Sequence, residues 1–113
     1  MKHAILFFLQ LLNNIQLVHW NTHSFAAHKA TQELYEALQP LVDSFVEISL
    51  QKRLAPFDEK IKVSHFSQAK FKSYLNGVIQ MLKEMKLEAD LANIRDEMVG
   101  HIHQFLYLYT LHG

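Results

Sequence analysis

The chain has 113 residues, half of them hydrophobic, with 11 Lys and Arg balancing 11 Asp and Glu, and eight histidines. That length supports one domain with one core, and the apolar fraction excludes a disordered chain. A formally neutral chain without a Lys or Arg block lacks the charge that non-specific DNA binding draws on, and the absence of cysteine excludes disulfides and thiolate metal sites.

Apolar residues recur at i, i+3 and i+4 along most of the chain, and period-2 alternation is scarce, so the class is all-α. Residues 4–18 are apolar nearly all round a helix. Gln10, Asn13, Asn14 and Gln16 interrupt the run and leave it too short to span a bilayer. The polar stretch after Leu12 is too long for a signal peptide, and no cleavage site follows closely. The expectation is a cytoplasmic protein with no membrane contact. A helix apolar on several faces must be covered on several faces. Its own bundle covers one, and an oligomer partner is the natural cover for another. This helix ends over Trp20, Asn21, Thr22 and His23; if His19 only caps carbonyls there, Trp20 is expected to be core.

Ser24 is placed to N-cap a second helix that stays periodic to about Leu50. Leu34, Leu38, Leu41, Phe45 and Ile48 form its apolar stripe. With His28 set at zero on a helical wheel, that stripe lies at roughly 200–280°, Asp43 at about 60° and Glu47 at about 100°. His28, Asp43 and Glu47 therefore share the face turned away from the subunit's own core. Asp43 and Glu47 are i, i+4 neighbours, so their carboxylates repel unless a cation sits between them. His28 lies about 22 Å from Asp43 along the helix, and one metal ion cannot bind both in one chain. Two copies of the helix packed antiparallel solve this. His28 of one chain then meets Asp43 and Glu47 of the other, twice per dimer, with the centre near Tyr35, Glu36 and Ala37. His19 joins from the end of the preceding helix. Pro40 removes one hydrogen bond and is expected to bend the helix just before the carboxylates.

Residues 51–65 carry charge and Pro56 and read as a connection long enough to cross from one end of a bundle to the other. Leu54, Phe57, Ile61 and Val63 suggest that it packs down. A third helix is expected over 66–86, with Phe71, Leu75, Val78, Leu82 and Met85 inward and Gly77 marking a close helix contact. A fourth is expected over 90–111, with Ile94, Met98, Ile102, Phe105 and Tyr109 inward. The turn between them has no Gly or Pro, so a single continuous helix stays open.

His19-Trp20-Asn21, then His28, then Asp43 and Glu47 resembles the ferroxidase centre of the Dps (mini-ferritin) branch of the ferritin-like superfamily. Ile94-Arg95-Asp96-Glu97 and Gln104-Phe105-Leu106-Tyr107 are similar to that family's last bundle helix. The resemblance implies a four-helix bundle with one long crossover between the second and third helices, in a single domain over 1–113. It implies that His19 and His28 of one subunit and Asp43 and Glu47 of another act as metal ligands and catalytic residues, oxidising iron with peroxide or oxygen. It also implies a homo-oligomer, at least a two-fold dimer and in the family a cage that stores or detoxifies iron. Imidazole with carboxylate also suits zinc or manganese.

Simpler readings stand beside this one. His19 can cap carbonyls at a helix end, His28 can be a solvated first-turn residue, and Asp43 and Glu47 can belong to an ordinary polar face. The chain would then be a structural or interaction module, or a bundle binding a divalent ion without turnover. Glu97 and His101 are one residue too far apart for the Glu-x-x-His of a di-iron bundle, and the first helix offers no carboxylate. They read as supporting or interface residues. His3, His23, His65, His103 and His112 read as surface. No phosphate-binding loop or nucleophile motif is present.

Overall fold

The computed structural model describes residues 1–111, so His112 lies outside the described residues. Four helices follow in chain order: α1 (Lys2–Trp20), α2 (Phe25–Ser49), α3 (Gln68–Glu84) and α4 (Ala89–Leu111). No strand occurs among the described residues. The result is an all-α four-helix bundle with one long connection, between α2 and α3.

Local chemistry sets the ends. Asn21 Nδ2 donates to Leu17 O at 2.8 Å, closing α1, and Ser24 Oγ accepts from Ala27 N at 3.0 Å, opening α2. Ser67 Oγ accepts from Lys70 N at 3.3 Å and opens α3. Phe66 stays outside α3 and stacks on Phe71, centroids 6.2 Å apart, which fixes the angle of entry as a hydrophobic staple. α3 and α4 are separate helices. With no Gly or Pro to stop α3, the stop comes from α4: Arg95 Nη1 donates to Leu82 O at 2.8 Å and to Met85 O at 3.5 Å, satisfying carbonyls at its end.

α2 packs against both α1 and α4, and α3 leans on α4. Phe8 meets Phe45 edge-on at 5.1 Å, while at the other end His19 meets Thr31, so α1 and α2 run antiparallel. The connection climbs along α1 and brings α3 to start where α1 ends. Lys2 Nζ holds Glu59 at 2.8 Å, keeping that carboxyl below its usual pKa by the hydrogen bond and charge, and Ser64 N donates to the buried Asn14 Oδ1 at 2.8 Å. The connection is less packed than its apolar residues suggested. Ile61 is half-buried, but Leu54, Phe57 and Val63 are exposed, because only these few tethers hold the segment to α1.

The core is continuous across all four helices. Phe8, Leu11, Ile15, Leu38, Phe71, Leu75, Leu82, Met98 and Ile102 are each fully buried, and complete burial of one such side chain stabilises by about 1.5–3 kcal/mol. Phe71, Phe105 and Tyr109 form an aromatic cluster between α3 and α4, with burial pushing the Tyr109 phenol up. On α2 the stripe is wider than expected and turned toward α1. Ala30, Thr31 and Val42 are buried, Leu41 is half-buried and Ile48 is 47% exposed. On α3 and α4, Ile79 and Val99 are buried while Met85 and Ile94 are only half-buried. Gly77 makes no close helix contact, since a Cβ there would meet nothing within 4 Å. Trp20 is not core: it is 69% exposed, on the side of α1 opposite Leu11 and Ile15. α2 runs unbroken through Pro40, which sits on its exposed side.

Candidate metal site

The link between α1 and α2 is short enough to fold the end of α1 over the first turn of α2. His19 and His28, nine residues apart in sequence, stack with ring centroids 3.8 Å apart and planes at 23°. Each ring binds the other residue's backbone. His19 Nδ1 lies 2.8 Å from His28 O, and His28 Nδ1 lies 3.0 Å from His19 O. A carbonyl can only accept, so both Nδ1 atoms carry the proton. In a neutral imidazole that leaves each Nε2 with a free lone pair. Tying one ring nitrogen to a carbonyl is the usual way a ligating histidine is oriented and its tautomer fixed.

Thr31 completes this arrangement, and sequence reasoning missed it. It is fully buried, its Oγ1 lies 3.0 Å from His19 Nδ1, and it donates to Ala27 O or His28 O, each at 2.9 Å. The only signal in the sequence is a Thr three residues after His28, on the side of α2 facing α1. His19 also borders a cavity of about 280 Å³ with Gln16, Gln32, Tyr35 and Glu36. Gln32 Nε2 donates to Glu36 Oε1 there at 2.9 Å.

Asp43 and Glu47 lie at the opposite end of α2, both exposed on its outward face. Neither has a hydrogen-bond or salt-bridge partner among the described residues. Asp43 borders a groove of about 240 Å³ between α1 and α2, lined by Ile5, Leu9, Leu12 and Val42. So one chain brings the two histidines together and keeps the two carboxylates apart from them. No group of three or more His, Cys, Asp or Glu able to hold a metal ion occurs among the described residues. Within one chain these four residues do not converge on one point.

Glu97 is exposed, and half-buried His101 borders a separate hollow with Leu34, Ala37 and Phe105. Neither forms a hydrogen bond through its side chain among the described residues. His23 and His65 line a cavity of about 480 Å³ at the end of the bundle where α2 and α3 begin. His3 and His103 are exposed. No helix among the described residues is long and apolar enough to cross a membrane.

Four helices with a histidine pair at one end of α2 and a carboxylate pair at the other define a helical-bundle protein with a divided polar face. The chain belongs to the family described as "Family of unknown function (DUF5856)", which matches residues 19–109. That match takes in His19, His28, Asp43 and Glu47. No curated protein and no solved structure matches the chain significantly.

Proposed function

We propose that this protein is an iron-binding, mini-ferritin-like bundle whose ferroxidase site forms between two subunits. His19 and His28 of one chain and Asp43 and Glu47 of the other hold Fe(II), and peroxide or oxygen oxidises it for detoxification or storage. The observation that carries this reading is the mutual histidine pair. Two imidazoles with their Nδ1 atoms tied to carbonyls offer two Nε2 donors at one spot. The unpaired carboxylates at i, i+4 supply the anionic half. Two neutral nitrogens and two carboxylates suit iron, and the carboxylates favour the harder ferric ion and so lower its potential. With peroxide as oxidant, two Fe(II) give up one electron each, two protons are taken up and two waters form. The chain's part is to hold the metal and leave a position open to the oxidant. The same donors suit zinc or manganese, so binding without turnover is the alternative outcome.

The test is anaerobic Fe(II) titration, then peroxide or air, reading ferric absorbance with mass by light scattering. The expected result is saturable binding and fast oxidation by an oligomer, abolished in His19→Ala and in Asp43→Ala. Mixing those two variants after joint refolding should restore about a quarter of the parent's sites, because a two-fold mixed dimer has one intact site of two. Full binding by either variant alone, or no recovery in the mixture, sinks the intersubunit site. Tight binding with no ferric absorbance leaves the divalent-ion reading.

A further inference from the structure

The two-fold pairing proposed above has a second consequence on α1. Leu9 and Trp20 lie three helical turns apart on one line of α1, facing out beside α2, and are 44% and 69% exposed. Leu9 belongs to the apolar groove with Ile5, Leu12 and Val42, and Asp43 stands at its rim. The axis that brings His28 onto Asp43 and Glu47 crosses α2 between residues 35 and 38. The point on α1 midway between Leu9 and Trp20 falls between residues 14 and 15. The pairings of Phe8 with Phe45 and His19 with Thr31 set the register of α1 along α2. In that register, residues 14 and 15 stand beside residues 36 and 37. One axis therefore serves both helices.

We infer that the indole of Trp20 docks into the α1–α2 groove of a second copy of this chain, against the partner's Leu9, with its N–H beside the partner's Asp43. This rests on the two-fold reading but on different residues. Charge selects a second copy as the occupant. On the outward face of α2 the cation Lys29 lies near the start and the acids Asp43 and Glu47 near the end, with Glu36 exposed between them close to the axis. Antiparallel copies set each end against its complement. Trp20 is a large exposed aromatic, of the kind that buries about 150–250 Å² on docking and anchors interfaces. An indole also needs an acceptor for its N–H once water is gone, and Asp43 is the acceptor at the groove's edge.

Trp20 is the chain's single tryptophan, so its fluorescence reports on this contact alone. The experiment follows emission and acrylamide quenching against concentration, with mass measured in parallel, for the parent and Leu9→Lys. The expected result is a blue-shifted, poorly quenched indole wherever the mass is that of a dimer or larger. Emission should move red on dilution to monomer. Leu9→Lys should raise the dissociation constant at least tenfold, with unchanged helicity. A dimer whose indole is quenched as readily as a free one overturns the docking and leaves the metal site standing. A buried indole in a dimer that binds no iron does the reverse. A monomer at every concentration overturns both.

Discussion

The two ends of α2 are built differently. At its start, His28 and Thr31 are bound to His19 through three short polar contacts, Thr31 also donates toward His28 O, and Thr31 is fully buried. At its end, Phe45 anchors the helix in the core through Phe8, but Asp43 and Glu47 have no polar partner among the described residues. One chain thus spends its hydrogen bonds on orienting the imidazoles and none on the carboxylates. Two like charges at i, i+4 cost a few tenths of a kcal/mol when nothing lies between them. The proposed site shared between chains would use that contrast, with one half pre-oriented and the other open.

The largest test of the contrast lies in the core. Phe8→Ala should destabilise the fold by about 3–5 kcal/mol, read by urea unfolding, because Phe8 is fully buried against Phe45. A small loss would mean that the acidic end of α2 is not anchored. Next, Asp43→Asn with Glu47→Gln should weaken iron binding more than about 100-fold, beyond what loss of a supporting contact does, with the midpoint of unfolding unchanged or raised. Unchanged binding in that variant would put the metal elsewhere.

Thr31→Val is the sharper probe of the histidine end. It should cost about 1 kcal/mol through the lost hydrogen bonds and weaken metal binding by about tenfold, as His19 loses a bond that aligns its ring. Stability lost without any change in metal affinity would make the pair a purely structural latch. Gly77→Ala separates stability from binding. Exposed in the middle of α3 with open space at its Cβ, it should stabilise by about 1 kcal/mol and leave iron titration untouched. Asp43→Asn alone should gain about 0.2–0.5 kcal/mol, detectable as a small rise in melting temperature when no metal is present.

Much of this is legible in the residues. The 3.6-residue periodicity, Ser24 as a cap and the long link before α3 give the four helices within a few residues of their ends. The separation of His28 from Asp43 follows from helix rise alone. The imidazole pair could be anticipated only as proximity. Its stacking, the carbonyl partners and the role of Thr31 depend on how the link after Trp20 turns, and backbone carbonyls leave no mark in a sequence. The stop between α3 and α4 was hidden for a similar reason, since Arg95 acts on residues ten and more positions away.

What the sequence determined by itself is what periodicity and covalent spacing control: an all-α class, where the helical segments run, and a carboxylate pair that cannot share a metal with its own chain's His28. Tertiary structure decided which of the apolar positions are core. It exposed Trp20, Ile48 and Leu54 and buried Thr31 and Val42, because α2 has neighbours on two sides and the crossover is held at only a few points. A helical wheel records directions from one axis, and only packing decides which directions meet another chain segment and which meet water.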